Sequence, residues 1–380
     1  MQFVNLDGNG APLQNGFTQP DFTITLPCSA VNEPMEDLFP LLVGHGLFNR
    51  GEGFVDDITE LGLVIPPWRG IVGGTDWRGM SQLDLAWLGT HVIGLGSSSL
   101  HNFQALPDRL RQGMLNTLVL SRMMKLGLFN RDAAFQRADA SGVFPGPSDE
   151  LYYLGGSLGG IMGTYLAGLD PDIERYVIEV GAANFSCLLQ RSTQFVAFDV
   201  LLPGVGVTDP MSFAQVLAAG HELWASAEPV SVIHRITSDP LPGSGGPKRI
   251  LMSTAFLDHQ VSNNCSEIAA RTMGLPTLDG SIMQGLPQMA DQPGPLDSAY
   301  SLWHLGEIDI LNPAHTTSVP PLENRIATGP CDPHGRRATS LAALLQIREF
   351  LRPGGRVIDT CTGLCDGATA NEQPISGCSP

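Results

Sequence analysis

Short apolar segments alternate with longer helical ones along this chain, and this alternation constrains the fold more than any other feature. Six segments have the length and character of buried strands: 38–44, 70–75, 151–155, 176–180, 249–256 and 300–303. A further strand is predicted at 22–26, and helices are predicted over 53–63, 103–126, 158–169, 265–273 and 339–351. Strands that alternate with helices form a mostly parallel sheet covered by helices on both faces. The sequence therefore predicts an α/β fold of this kind.

Two stretches do not follow the alternation. Residues 184–247 are irregular, with short mixed helices and a glycine- and proline-rich run at 242–247, and we interpret them as an insertion. Residues 354–380 form a tail that is rich in cysteine. No clean linker divides the chain, so residues 1–380 are expected to form one domain that carries this insertion and this tail.

Composition and charge exclude several classes of protein. Hydrophobic residues make up 43% of the 380 residues, which is enough for a sizeable core and rules out disorder as the main state. The net charge of −17 disfavours binding to nucleic acid and to anionic membranes. No run of 18 or more apolar residues occurs, so no integral membrane segment is expected. The expected partner is a small molecule, and the sequence does not indicate an oligomeric state.

The first residues and the cysteines bear on location. Residues 1–7 lack the basic start and apolar stretch of a signal peptide, so the chain is either cytoplasmic or exported with its leader already removed. Four of the seven cysteines lie in the last fifty residues, which favours a secreted or periplasmic protein with one to three disulfides and an unpaired thiol. Cys361 and Cys365 suit zinc poorly, so a disulfide between them, or with Cys331 or Cys378, is expected instead of a metal site.

The chemistry-bearing motif is Gly-Gly-Ser-Leu-Gly at 155–159, which lies between a predicted strand and a predicted helix. A serine in such a turn is strained and exposed, and flanking glycines keep Cβ atoms out of the crowded junction. The following helix directs its free N–H groups towards negative charge. Ser157 is therefore a candidate nucleophile, and the Leu158 amide is a candidate donor to an oxyanion.

A second oxyanion donor is expected from the loop after an earlier strand. Val-Gly-His-Gly-Leu at 43–47 follows the first apolar strand, and its His-Gly pair lets the backbone turn sharply and present the amide of Leu47. His45 is interpreted as a hydrogen-bonded loop histidine and not as the catalytic base.

In such a site the acid and the base follow the serine in chain order. Asp258 lies just past the strand at 249–256, where a triad acid reaches the site; Asp239, Asp291 and Asp297 are alternatives in less regular contexts. His334 lies on a loop directly before the last helix and is the preferred base, and His259, His304 and His315 compete with it. Asp258 would hold the tautomer of His334, which takes the proton of the serine.

Together these residues resemble the α/β-hydrolase superfamily, and bacterial carboxylesterases and lipases fit best. The resemblance rests on His45-Gly46, the run Gly-Gly-Ser-Leu-Gly-Gly at 155–160, Asp258 and His334, and it spans about residues 40–352. It implies a serine esterase without a cofactor, with a cap inserted after the strand that follows the serine helix. Residues 184–247 stand at that cap position.

The resulting hypothesis is a serine carboxylesterase that forms an acyl-enzyme on short- to medium-chain esters and, if the cap opens, on aliphatic polyesters. The apolar residues of 184–247 predict an apolar channel, and Gly46 and Trp224 are candidate substrate contacts. The alternatives are a lipase acting on long-chain acylglycerols, a peptidase or amidase on the same scaffold, and a catalytically silent binding module.

Overall fold

The computed structural model describes residues 6–11, 13–14, 16–32, 39–64, 70–92, 102–144, 146, 150–199, 202–304, 319–328, 332–335, 340–361 and 363–365. Three residues of the sequence predictions, His315, Cys331 and Cys378, lie outside these ranges. No described helix has both the length and the apolar character needed to cross a bilayer.

The described strands and helices follow the predicted alternation. The strands are β1 Phe22–Thr25, β2 Phe39–Gly44, β3 Gly70–Thr75, β4 Leu151–Gly156, β5 Ile173–Glu179, β6 Arg249–Ala255, β7 Thr277–Leu278, β8 Asp291–Gln292 and β9 Ala299–Trp303. The α-helices are α1 Cys28–Asn32, α2 Gly51–Val64, α3 Leu85–Trp87, α4 Ala105–Lys125, α5 Leu158–Ala167, α6 Phe185–Leu189, α7 Val196–Asp199, α8 Pro210–Trp224, α9 Asn263–Thr272 and α10 Leu341–Phe350. A π-helical turn follows α3 at Leu88–Val92.

All nine described strands belong to one sheet, in the order β1-β3-β2-β4-β5-β6-β9-β7-β8. Among the nine strands, only the pairing of β1 with β3 is antiparallel, and every other described strand pairing is parallel. The prediction of a mostly parallel sheet with helical connections is confirmed. The two-residue strands β7 and β8 were not predicted, because two residues are too few to show a periodic pattern.

Consecutive residues of the central strands face opposite sides of the sheet, and each side has its own core. Leu42 and Tyr153 contribute to the larger core, with side chains from α4, α5 and α9. Leu41 and Tyr152 contribute to the smaller core, where Ile347 and Phe350 of α10 pack. The sheet is therefore buried on both faces, as a parallel sheet requires.

The strand β5 begins three residues earlier than predicted, since polar residues hide its start. Arg175 is 2% exposed, forms an ion pair with Glu150 and donates a hydrogen bond to the carbonyl of Arg352 at 3.1 Å. The carboxylate of Glu150 neutralises the guanidinium, which allows a charged residue at a buried strand position. The Nε of Arg175 is buried without a hydrogen-bond partner among the described residues.

The segment 184–247 connects β5 to β6 and is more ordered than the sequence suggested. It contains α6, α7 and the 15-residue helix α8, together with short 3-10 turns. Asp209 begins α8 by accepting hydrogen bonds from the amides of Met211 and Ser212 at 2.9 and 3.0 Å, and Pro210 occupies the first helical position. This start signal was present in the sequence and was missed.

The described part of the tail is attached to the sheet. Cys361 and Cys365 form a disulfide, one of the pairings that the sequence analysis left open. The amide of Cys365 donates to the carbonyl of Gly280 at 2.6 Å, and the amide of His304 donates to the carbonyl of Cys365 at 3.0 Å. Because its two cysteines are bonded to each other, this pair offers no thiolate for a metal.

Candidate active site

Ser157 lies in a strained turn between β4 and α5. Its backbone has φ 58° and ψ −120°, a conformation that non-glycine residues rarely adopt. The Ser157 amide donates to the carbonyl of Glu179 at the end of β5, at 3.0 Å, and this bond holds the turn against the sheet. The strand, the strained serine and the helix predicted from the sequence are therefore all present.

The glycines of the motif permit a very close approach of backbone to backbone. A Cβ placed on Gly159 would lie 1.8 Å from the carbonyl oxygen of Gly44, at the end of β2. A Cβ placed on Gly155 would lie 2.3 Å from the carbonyl oxygen of Gly159. Both positions require glycine, and together they bring the start of α5 against the loop that follows β2.

That loop lies beside the serine, and His45 fixes its shape. A Cβ built on Gly46 would be 3.7 Å from the Cβ of Ser157. The buried ring of His45 donates from Nδ1 to the carbonyl of Gly46 at 2.7 Å and accepts at Nε2 from the amide of Trp77 at 2.8 Å. Burial lowers the pKa of His45, so the ring stays neutral and can accept the second bond. His45 is the hydrogen-bonded loop histidine that was predicted.

Two backbone amides at this junction are available to an oxyanion. Leu158 is the first residue of α5, where N–H groups have no intrahelical acceptor. No described residue accepts a hydrogen bond from the amide of Leu47. Leu47, Ser157 and Leu158 all line one cavity, so both candidate donors and the hydroxyl open into the same space.

Asp258 and His334 form the acid–histidine pair that the sequence predicted. Oδ2 of Asp258 accepts from Nδ1 of His334 at 2.7 Å, and both side chains are buried. Oδ1 of Asp258 accepts from the amides of Gln260 and Val261, each at 2.8 Å. The two amide bonds to Oδ1 hold the carboxylate so that Oδ2 faces the histidine. The two residues lie 76 positions apart in the sequence.

Asp332 bonds to the loops that carry this pair and was not among the predicted site residues. Its Oδ1 accepts from the amides of His334 at 3.1 Å and His259 at 3.2 Å, and its Oδ2 accepts from Nε2 of Gln260 at 2.8 Å. One carboxylate therefore ties the loop of the base to the loop of the acid. An aspartate two residues before a candidate base was the only signal in the sequence.

The surroundings of His334 favour the protonated form of its ring. Burial opposes its charged form, but the carboxylates of Asp258 and Asp332 outweigh that effect and raise the pKa of His334 above its ordinary value. Nδ1 is bonded to Asp258, whereas Nε2 is buried without a hydrogen-bond partner among the described residues. The free nitrogen is the one that a serine proton would reach in such a triad.

The competing aspartates belong to other parts of the fold. Asp239 is mostly exposed and pairs with Arg235 at 3.2 Å. Asp291 accepts from the amide of Gly285 at 2.9 Å, and Asp297 pairs with Arg356 at 3.3 Å. Among the competing histidines, His259 and His304 are buried. The hydrogen bonds of Asp258 within the described residues go to the ring of His334 and to two backbone amides, and none goes to the ring of His259 or His304.

A cavity of about 380 Å³ opens over Ser157. One wall comes from Leu47, Phe48, Leu158 and α4, and the opposite wall comes from the segment 184–247. The second wall is mostly apolar and includes Phe185, Leu188, Leu189, Phe195, Leu202, Val205, Phe213, Val216, Leu217, Leu223 and Trp224. Of the two candidate substrate contacts, Trp224 lines the cavity, whereas Gly46 is not among the lining residues and lies beside Ser157.

The chain is similar in structure to solved proteins with which it shares little sequence identity. No protein-family model and no curated protein sequence matches the chain. An acylaminoacyl peptidase in complex with Z-Gly-Gly-Phe-chloromethyl ketone is 11% identical, with a TM-score of 0.42 over 93% of this chain and 41% of that one. The chain therefore spans about two fifths of the length of that peptidase.

Two acetyl xylan esterases are matched over most of their length. The enzyme from a Thermoanaerobacterium species is 13% identical, with a TM-score of 0.42 over 80% of this chain and 88% of that one. The enzyme from a Paenibacillus species is 14% identical, with a TM-score of 0.41 over 79% and 76% of the two chains. The sheet order and the strand–serine–helix turn described above give this chain the α/β-hydrolase fold, which confirms the resemblance at the level of the fold.

Proposed function

We propose that this protein is a serine carboxylesterase that hydrolyses short- to medium-chain esters. The observation that carries the proposal is one apolar cavity that contains Ser157 and two candidate oxyanion donors. The hydrogen-bonded Asp258–His334 pair, with its unpartnered Nε2, supplies the base that such a serine needs.

The proposed reaction uses these groups in order. Nε2 of His334 takes the proton of Ser157 as the hydroxyl oxygen attacks the ester carbonyl, and the amides of Leu47 and Leu158 hold the resulting oxyanion. His334 then protonates the leaving alcohol, and the acyl group stays on the serine. Water, activated by His334 in the same way, releases the acid and restores the hydroxyl. Asp258 keeps the proton of His334 on Nδ1 throughout, so that Nε2 starts as the acceptor.

The apolar lining of the cavity sets the proposed substrate range. Each methylene buried in such a space adds about 0.8 kcal/mol of binding. Rates should therefore rise from acetate to butyrate or hexanoate and level off once the cavity is full. A lipase would show its optimum at long acyl chains, and an aliphatic polyester would need the segment 184–247 to act as a cap that opens. A peptidase or amidase would cleave anilides as well as esters.

The location that we propose is outside the cytoplasm. The Cys361–Cys365 disulfide supports it, because disulfides persist in oxidising compartments. A mass map of unreduced protein tests this proposal. Recovery of both cysteines as free thiols from protein isolated without reductant would remove the support.

The function is tested with p-nitrophenyl esters from acetate to palmitate, measured with the wild-type chain and with Ser157→Ala. We expect kcat/KM to rise from acetate to butyrate or hexanoate and then to level off or fall, with only residual turnover in the variant. A palmitate optimum would replace the esterase with a lipase. Hydrolysis that persists in folded Ser157→Ala, or the absence of hydrolysis throughout the series, would contradict the proposal.

A further inference from the structure

The cavity contains a buried carboxyl group for which the proposed reaction has no use. Glu228 directly precedes the 3-10 turn Pro229–Ser231, and its side chain is fully buried. It is the only acidic side chain among the described residues that line the cavity. A buried carboxyl group in an apolar wall costs free energy unless a partner compensates it.

The two oxygens of Glu228 have different surroundings. Oε2 accepts from the amide of Phe185 at 2.7 Å, at the first residue of α6. Oε1 is buried and has no hydrogen-bond partner among the described residues. A structural role at the start of α6 therefore explains one oxygen and leaves the other without a function.

One further polar side chain borders the unpartnered oxygen, and a second lies next to that side chain. Nδ1 of His221, on α8, lies 3.7 Å from Oε1 of Glu228 and 3.4 Å from Oγ of Ser186. All three residues line the cavity, and we call them the Glu228 cluster. Burial raises the pKa of Glu228 to about 7, although the hydrogen bond from the Phe185 amide and the nearby amide of Asn184 oppose the shift. Near neutral pH the group thus exists both as a carboxylate and as a carboxylic acid.

We propose that the Glu228 cluster is a polar subsite that binds a hydrogen-bond donor, a hydroxyl or amino group, on the aliphatic part of the substrate. The inference rests on the proposed function, which it deepens by naming the substrate class: esters whose cavity-filling chain ends in such a donor. The donor would bond to Oε1 of Glu228, and His221 and Ser186 would complete its surroundings. An entirely apolar cavity would instead disfavour such a group, because burying an unpaired hydroxyl is costly.

The test compares matched pairs of esters that differ only in a terminal group. On the acyl side, p-nitrophenyl hexanoate, octanoate and decanoate are each paired with the ω-hydroxy and ω-amino esters of the same length. On the alcohol side, hexyl, octyl and decyl acetates are paired with their ω-hydroxy forms. Wild type, Glu228→Gln and the control Glu222→Gln are measured. The control makes the same change on the exposed residue Glu222 of α8.

The variant is chosen to separate the two oxygens. Glutamine keeps one oxygen for the Phe185 amide and places an NH₂ group where Oε1 lies, so an acceptor becomes a donor. In the wild type we expect at least one donor-bearing ester to have a kcat/KM about tenfold above that of its plain partner. In Glu228→Gln this ratio should fall to one or below, while Glu222→Gln keeps it. If this kcat/KM ratio is larger for the amino esters than for the hydroxy esters, Glu228 binds the donor in its carboxylate form.

Two results would overturn the inference while leaving the esterase in place. One is a wild type in which every donor-bearing ester reacts more slowly than its plain partner. The other is a preference that survives unchanged in Glu228→Gln. The wild-type ratios need no variant, so they decide the question even if Glu228→Gln does not fold.

A binding measurement keeps this inference separate from the proposed function. Calorimetry on Ser157→Ala compares 1-octanol with 1,8-octanediol and needs no turnover. The subsite predicts that the diol binds more tightly, whereas an apolar cavity predicts that octanol does. If no ester is hydrolysed, the proposed function fails and this comparison still decides whether the subsite exists.

Discussion

The backbone junction around Ser157 and the wall formed by the segment 184–247 are built in different ways. At the junction, a Cβ on Gly159 would lie 1.8 Å from a carbonyl oxygen, so the shape depends on backbone in direct contact. In the segment, a Cβ on Gly204 would meet nothing within 4 Å, and apolar side chains such as Phe185 and Leu217 form the surface. The proposed nucleophile is therefore positioned by backbone packing, whereas the proposed fit to substrate depends on replaceable side chains.

The largest effect is expected when the proposed nucleophile or the proposed base is removed. Ser157→Ala and His334→Ala should each lower kcat/KM for p-nitrophenyl butyrate by about 10⁴-fold or more, because neither group can act without the other. Thermal unfolding should change little for Ser157→Ala. Near-wild-type turnover in either folded variant would show that the reaction occurs elsewhere.

Two glycine substitutions compare the regions directly. Gly159→Ala should lower the free energy of unfolding by about 3 kcal/mol or more, since the backbone carbonyl of Gly44 must move. Gly204→Ala should change it by less than about 0.5 kcal/mol. Chemical denaturation of both proteins measures the two values. Equal effects would contradict the proposed contrast between a close-packed junction and an open segment.

The charge of Asp332 should contribute, after that of Asp258, to the pH dependence of His334. His334 must be neutral to accept a proton, so kcat/KM should rise with pH through the raised pKa of His334. Asp332→Asn removes a charge that favours the imidazolium, and the acidic limb of the profile should therefore move to lower pH. The plateau rate should fall by roughly tenfold at most, because Asp258 still holds the ring.

Gln260→Ala is the control for this profile. It deletes one hydrogen bond to Asp332 and leaves the carboxylate charge in place, so its acidic limb should stay near that of the wild type. If both variants shift the limb equally, the effect comes from loop position and not from charge.

The smallest expected effect lies in the wall formed by 184–247. Trp224 packs against Phe185, with ring centroids 4.7 Å apart, and borders the cavity. Trp224→Phe should move the acyl-chain optimum towards longer esters with a change of a few-fold in kcat/KM, because it enlarges the cavity without touching the triad. Met211→Ala, on the exposed side of α8, should leave the series unchanged. An unchanged optimum in Trp224→Phe would mean that substrate does not reach this wall.

Residues with a local signature were predictable from the sequence. Ser157 lies in a motif bounded by a strand and a helix, and both flanks are visible within twenty residues. Asp258 and His334 could be proposed from strand ends and chain order, and the structure joins them by a hydrogen bond. The sheet followed from apolar segments long enough to be recognised.

Asp332 and Glu228 carry no local signature, so their contacts were not predictable. Asp332 acts on His259 and Gln260, which lie more than seventy positions earlier, and nothing local indicates those bonds. Glu228 is one acidic residue in an irregular segment, and only the folded cavity shows that it is buried with one oxygen unpartnered. Such roles arise from tertiary packing, which a single sequence does not display.

The most direct test of the central claim is labelling with a fluorophosphonate, followed by mass mapping of the modified peptide. We expect stoichiometric modification of Ser157, with displacement of fluoride, and strongly reduced labelling in His334→Ala. The control Glu222→Gln should label like the wild type. An unlabelled folded protein, or a label mapped to another residue, would contradict the assignment of Ser157 as the nucleophile.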